Sequence, residues 1–465
     1  MSIDRSKISQ QQIDKIFLIE EDHFHDFKAV DIKPSKLTKS ISAFANADGG
    51  ELFIGIKEDK QTRSKAWVGF ANIEDANGHL QAFESVLTLG SYHRYSFLHA
   101  DGYSGYVLHA EVFKTRDIVK TTDGLIYQRK GAQSLPIVTT DQIRRLELNK
   151  GIASFETETV KAEIADLANS TAMIKFALEI IPATEPETWL KKQKLIFNNL
   201  PTVGGSVLFS DEPQALIPKH CGIKIYRYRT SDEEGHRESL MGIPQTVEGC
   251  LYDQIYKSVM ITKEIIESIR KMTTDGFDDV EYPEETLHEI ITNAVIHRDY
   301  SIPDDIHIRI FDNRVEVENP GVLPGHITPD NILNERFARN GMIVRIINKF
   351  PNPPNKDVGE GLNTAFRAMQ MLKLKSPIIQ VKEHSVLVTI KHERLASPQE
   401  LIMEYLTKNE TIDNGEARDL CVIRQDWRIR KIFKDMIEAG MIEKTEGSVT
   451  GNTKYKKCAR GKELT

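Results

Sequence analysis

The sequence predicts an α+β protein of several domains, and three features carry that expectation. Its 465 residues exceed what one ordinary hydrophobic core can organise. Helical and strand-like apolar rhythms alternate along the chain, without low-complexity segments or an internal repeat of useful period. Between Tyr282 and Tyr300 a long amphipathic run is followed at once by two short alternating segments, the pattern of a helix laid on a sheet.

In chain order, Ser35 to Ala47 has a helical rhythm (Leu37, Ile41, Phe44, Ala45) that Gly49-Gly50 ends. Glu51 to Ile56 then reads as a buried strand, and Val107 to Phe113 and Leu125 to Arg129 read as further strands. A polar run, Glu156 to Thr159, suggests the first boundary. From there to about residue 280, segments such as Gly205 to Phe209 and Gly222 to Tyr226 read as strands of an α/β region. Residues 281 to 394 read as a helix, strands, helices and a last strand. Beyond Ser397, two short helices, a longer one from Gln425 to Ala439 and a hairpin between Ile442 and Tyr455 are expected. The expected domains are therefore 1–150, 151–395 and 396–465.

A hydrophobic share of 40% with 28% charged residues fits a folded, soluble protein. No window approaches the roughly 18 to 20 apolar residues of a membrane helix, and Met1 to Gln12 has no apolar core for a signal peptide. Cys221, Cys250, Cys421 and Cys458 lie far apart, which argues against a disulfide framework or a zinc site and for a reducing cytoplasm. The net charge of -7 hides a basic tail, Lys454 to Lys462, which is either a nucleic-acid contact or a solvated end.

The chemistry concentrates around residue 290. Pro283 suits a first helical turn, and Glu284 and Glu285 complement the positive helix end. Leu287, Ile290, Ile291, Ala294 and Val295 form an apolar stripe. Glu289, Asn293 and His297 stand at i, i+4 and i+8 on the other flank. Asn offers Mg²⁺ a neutral oxygen, and Glu can polarise a water that attacks a γ-phosphoryl group. Many amphipathic helices carry Glu and Asn at this spacing, so the pair alone leaves the matter open. Two strands around Asp312-Asn313 follow, then Asn319-Pro320-Gly321, Arg339-Asn340, and Gly359-Glu360-Gly361-Leu362 ahead of a helix, where glycines let backbone N–H groups approach phosphate.

This ordered set resembles the GHKL (Bergerat-fold) ATPases, with an α/β sandwich as the implied fold. The resemblance implies Glu289 as general base and Asn293 as Mg²⁺ ligand, with His297 beside them. It places Asn319, followed by Pro320 and Gly321, where many relatives have the aspartate that reads the adenine amino group. It adds Arg339 and Asn340 to the nucleotide-binding set and sets Gly359 and Gly361 at a glycine box closing over the phosphates. Asn in place of Asp keeps an acceptor but loses a charge.

At the N-terminus, Glu21 to Lys28 is followed by Ala43-Phe44-Ala45-Asn46, Gly49-Gly50 and Ile54-Gly55-Ile56. These pieces resemble the AlbA-type core of the Schlafen family. Nuclease members gather three carboxylates around a divalent metal, and the matching positions are Glu21, Asp26 and Glu58, with Lys28 close by. Mg²⁺ or Mn²⁺ would suit such hard oxygens. The acids here read Glu, Asp, Glu where the family reads Glu, Glu, Asp. Asp26 and Lys28 can equally be a simple ion pair. Tyr92 to Tyr95 and Arg129-Lys130 are open to stacking and phosphate contact or to ordinary burial and solvation.

The C-terminal order is similar to a winged helix, with Arg428, Arg430, Lys431 and Lys434 on its longest helix. Together the resemblances imply an ATP-binding, ATP-hydrolysing protein that acts on RNA or DNA. Its nearest form is an ATP-gated, metal-dependent nuclease, or else an ATP-responsive regulator that binds without cutting. A homo-oligomer, at least a dimer, and no membrane association are expected.

Overall fold

The computed structural model describes residues 4–458 except 60–61, 63, 87–88, 218–219, 274–275, 280–282, 355–360, 373, 392–397, 422, 424–425 and 446–452. Among the described residues, an N-terminal five-stranded sheet runs in the order Asp4–Lys7, His93–His99, Val107–Val112, Gly50–Ile54, His25–Lys28. The two outer pairs are parallel and the inner pairs antiparallel. Period-two alternation splits its residues between two cores. Leu52, Ile54, Leu108 and Ala110 pack with Leu37, Ile41 and Phe44 of the helix Pro34–Ala45. Phe27, Phe53 and Val107 face the other way, against Ile16 and Phe17 of the helix Gln10–Leu18. Asp26, next to Phe27, therefore points toward the first core. The expected strand Glu51 to Ile56 divides at Gly55: Gly50–Ile54 stays in the sheet, and Ile56–Glu58 forms a hairpin with Lys65–Trp67.

The central region holds a six-stranded sheet in the order Gln245–Val247, Ile223–Arg227, Ile306–Ile310, Arg314–Pro320, Ser385–Lys391, Ile378–Val381. Ile306–Ile310 and Arg314–Pro320 pair antiparallel, as the Asp312-Asn313 turn predicts. The inward residues Ile223, Ile225, Ile308, Val315 and Val317 pack against helices Leu251–Glu267, Glu284–Ile296 and Gly361–Met371 in the largest core of the chain.

One element differs from its sequence reading. Val203–Phe209 is a helix, not a strand. The Thr202 hydroxyl caps it by accepting from the Gly205 N–H at 3.1 Å, satisfying a first-turn donor. All seven of its residues are buried, so no polar face betrays the helical period.

The N-terminal module meets the central region through the helix Thr140–Lys150. Gly151 ends this helix in the left-handed conformation (φ +68°), and a Cβ there would sit 2.4 Å from the Phe337 ring. The acid of the polar run that follows is not solvated. Buried Glu156 accepts from the N–H groups of Met342 and Ile343 at 2.9 and 2.8 Å, capping the helix Gly341–Ile347.

At the C-terminus, helices Pro398–Lys408, Asn414–Cys421 and Asp426–Glu438 and the strand pair Ile442–Lys444 and Tyr455–Lys457 share a separate core around Ile402, Ile412, Ile429, Phe433 and Met436. The end of the basic tail, residues 459–465, lies outside the described residues.

Candidate functional site

The helix Glu284–Ile296 starts after Pro283, with Glu284 and Glu285 in its first turn and Glu284 paired to Lys263. Leu287, Ile291 and Val295 anchor one side in the core. The other side opens on a cavity of about 480 Å³, within the range of small-molecule sites. Glu289, Asn293, His297 and Asn319 all line it. So do Ile290, Ala294, Val317, Val386 and Val388 from the helix and sheet, and Leu323 and Phe337 from the segment 321–340.

Asn293 Nδ2 donates to Glu289 Oε1 at 2.8 Å, which leaves the amide oxygen as the end available to a cation. Burial pushes the Glu289 carboxyl above the ordinary carboxylate range, with the Asn293 hydrogen bond partly opposing. Burial, helped by the Arg339 guanidinium, pushes the His297 imidazole down to about 4, so the ring is neutral at physiological pH. Among the described residues its Nδ1 is buried without a partner, and so is Asn319 Oδ1. Orphaned polar atoms beside a cavity call for a polar ligand, since leaving them unmet costs about 1–3 kcal/mol each. A carboxylate with a raised pKa, a free amide oxygen and an acceptor at the sheet edge fit a nucleotide with its magnesium.

Gly321, Arg339 and Asn340 are not among the residues that line the cavity. Gly321 adopts φ +111°, and a Cβ there would meet Asp299 Cβ at 2.7 Å, so its lack of a side chain lets residues 320 and 299 pack together. Arg339 is buried against Asp299 Oδ2 at 3.3 Å and donates to the carbonyls of Leu148 and Val322. Asn340 donates to the carbonyls of Ile296 and Arg298 at 2.9 and 2.8 Å, bracing the end of the Glu289 helix. Both therefore support the wall from behind. Gly361 opens the helix Gly361–Met371, and Gly359 lies outside the described residues.

At the N-terminus the structure brings together Glu21, Asp26 and Lys28. Lys28 Nζ donates to Asp26 Oδ1 at 2.6 Å and lies 3.7 Å from Glu21 Oε1. Asp26 is almost fully buried and also accepts from Ser40 Oγ at 2.9 Å, with Arg129 at 3.6 Å. Glu21 Oε1 accepts from the Phe27 N–H at 3.0 Å. Burial raises the Glu21 pKa, the Phe27 and Lys28 contacts oppose, and Asp26 adds to the rise. Glu58 ends the neighbouring strand Ile56–Glu58, with no hydrogen bond or ion pair to the other two acids. Among the described residues, no three His, Cys, Asp or Glu side chains gather closely enough to hold a metal ion.

Several predicted contact residues are structural. Buried Arg129 donates to the carbonyls of Asp22 and His25 and fixes the loop that carries Glu21. His93 stacks on Phe83, and Tyr92 and Tyr95 pack on the first core. Asn46 braces Val119 and Tyr127, as its place after a helix suggests. On the helix Asp426–Glu438, Arg430 pairs with Asp426 and Lys434 with Glu438 at its exposed face.

Sequence reasoning missed the residues that tie the module to the cavity. Lys114 Nζ reaches Asp48 at 3.2 Å and the Leu323 carbonyl at 2.9 Å. The Arg116 guanidinium lies over the Phe337 ring, 5.2 Å from its centre. Arg145 pairs with Asp299 at 3.1 Å. Lys150 is buried and donates to the carbonyls of Ala45 and Thr115 and to the Thr115 hydroxyl. Isolated cations on mixed segments carry no local signal, because their partners are remote in sequence.

Comparison with known families finds two matching stretches. Residues 21–138 match the family described as Schlafen, AlbA_2, and residues 304–390 match the family described as putative ATP-dependent DNA helicase recG C-terminal. The chain thus fuses a Schlafen AlbA_2 domain to an ATPase-like domain. The second match begins after the Glu289 helix, so geometry ties Glu289 and Asn293 to that domain. No curated protein matches the chain. A crystal structure of the DIP2311 protein from Corynebacterium diphtheriae is similar at 15% identity over 96% of each chain, with a TM-score of 0.39. Among the described residues no helix is long and apolar enough to cross a membrane.

Proposed function

We propose that the protein binds and hydrolyses ATP in the central cavity, as a GHKL-type ATPase, and that nucleotide state governs how its N-terminal module engages nucleic acid. One observation carries this reading. Glu289, Asn293 and the orphaned Asn319 acceptor face a single cavity, and the N-terminal module grips that cavity's wall at Leu323 and Phe337. Glu289, held above the usual carboxylate range, acts as the base that takes a proton from the attacking water. Asn293 Oδ1 and the phosphates would hold Mg²⁺, which neutralises phosphate charge when bound. Asn319 reads the base. Neutral His297 supplies a polar rim without repelling a cation.

Binding rather than cutting is the better-supported action at the N-terminus, because Asp26 is spent on Lys28, Ser40 and Arg129. The nuclease reading rests on Glu21 and Asp26 lying side by side around one cation, a place that Mn²⁺ or Mg²⁺ would take once Lys28 turned to a substrate phosphate. The C-terminal helices and hairpin, read as a winged helix, offer a second nucleic-acid contact. Free, mostly buried cysteines suit a cytoplasmic protein, and a dimer closed by nucleotide fits the same scheme. Incubating the protein with labelled RNA and DNA pools, with and without ATP and Mn²⁺, separates the two actions. Retarded but intact nucleic acid, changed by ATP and by Asn293→Ala, supports the binding reading. Shortened products lost in Glu21→Ala would establish the nuclease, and neither outcome in any condition sinks both.

A further inference from the structure

In the reading proposed above one side chain recognises the base, and among the described residues no hydrogen bond fixes which way that side chain points. Asn319 sits in the strand Arg314–Pro320 opposite Val386, with its backbone committed to the sheet. Val317, Val386, Val388, Leu323 and Ile327 surround this end of the cavity with apolar surface suited to a flat ring. The next backbone donor along the chain, the Gly321 N–H, is already given to the His384 carbonyl. Glu318, the preceding residue, is turned to the opposite face and held by Arg309, Lys382 and Ser385. Among the described residues Asn319 Oδ1 is buried without a partner, and its amide nitrogen donates no hydrogen bond.

A carboxylate at this place would present acceptors only, and so, facing the six-position of a purine, would favour the amino group that adenine carries there over the carbonyl that guanine carries. A carboxamide carries an acceptor at one end and a donor at the other, at nearly the same size and shape. A neighbour that held one end would fix the choice, and among the described residues none does. From this we infer that the cavity takes guanine as well as adenine nucleoside triphosphates: Asn319 offers Oδ1 to the adenine amino group, or turns over and offers Nδ2 to the guanine carbonyl. The inference rests on the nucleotide reading of the cavity proposed above.

Isothermal titration of the full chain with MgATP and MgGTP tests it. Comparable dissociation constants, within roughly tenfold of each other, are expected for the unmodified protein, since a well-matched polar pair is present in both complexes. Asn319→Asp removes the donor, and the ratio of GTP to ATP affinity then falls by roughly 10-fold to 100-fold. ATP binding with GTP weaker by more than 100-fold in the unmodified protein overturns the inference and leaves the ATP site standing. An unchanged affinity ratio in a folded Asn319→Asp variant also overturns it. Failure of both nucleotides to bind the unmodified protein overturns the site itself.

Discussion

The Lys114 ammonium donates to the Leu323 carbonyl at 2.9 Å while lying 3.2 Å from Asp48, so one buried cation joins the N-terminal sheet to the wall of the central cavity. Lys114→Met keeps the stem and removes the donor. It leaves the Leu323 carbonyl unsatisfied, a cost of about 1–3 kcal/mol. The expected outcome is a lower unfolding temperature together with weaker ATP binding. A variant that unfolds earlier yet binds ATP with undiminished affinity would show that the wall does not depend on this contact.

Glu289→Gln keeps the hydrogen-bonding shape and removes the base. ATP should still raise the unfolding temperature, because a native-state ligand stabilises, while hydrolysis falls roughly 10²- to 10⁴-fold. Since Glu289 works ionised and its pKa is raised by burial, the rate of the unmodified protein should fall with acidification through a midpoint above 4.5. A phosphate-release assay across pH reads both effects.

Lys150 gives a pH signature of stability. Burial, with Lys114 nearby, pushes its ammonium down to about 7, whereas an unfolded lysine keeps its proton until about 10.5. Between these values the unfolded chain binds more protons, so stability contributed here rises as pH climbs from about 7 toward 10. Lys150→Met leaves the Ala45 and Thr115 carbonyls without their donor and should lose much of that rise, so its deficit against the unmodified protein grows from pH 7 to pH 9. Lys114 is shifted in the same direction, so a smaller slope remains. Unfolding midpoints at pH 7, 8 and 9 for both proteins make the comparison.

Gly321→Ala should destabilise by about 1–3 kcal/mol without touching the nucleotide. Its φ of +111° disfavours a side chain, and the new methyl would press on Asp299, loosening the pairs with Arg339 and Arg145. Denaturant unfolding with intact ATP binding per folded molecule is the expected result.

The parts of the fold legible in the sequence are those with local periodicity. The Glu289 helix, the strand pair around Asp312-Asn313 and the C-terminal order of helices and hairpin all follow from apolar spacing and turn residues. Val203–Phe209 escaped because full burial erased the polar face that distinguishes a short helix from a strand. In the site, Glu289, Asn293, His297 and Asn319 were readable from their order and converge on one cavity. Arg339 and Asn340 looked equally polar in sequence, but their partners are backbone carbonyls of remote segments, which no spacing encodes. The metal-binding arrangement of Glu21, Asp26 and Glu58 depended on side-chain reach, and Lys28 stands between the first two.

The tight seam at Gly151 bears on how the molecule can be dissected. A fragment starting at residue 151 would strip Arg339 of the Leu148 carbonyl, Asp299 of Arg145, the Leu323 carbonyl of its donor and the Phe337 ring of the Arg116 guanidinium. The ATPase half cut there is a damaged object rather than an independent one. Its failure to bind nucleotide would speak of the missing helix and not of the enzyme.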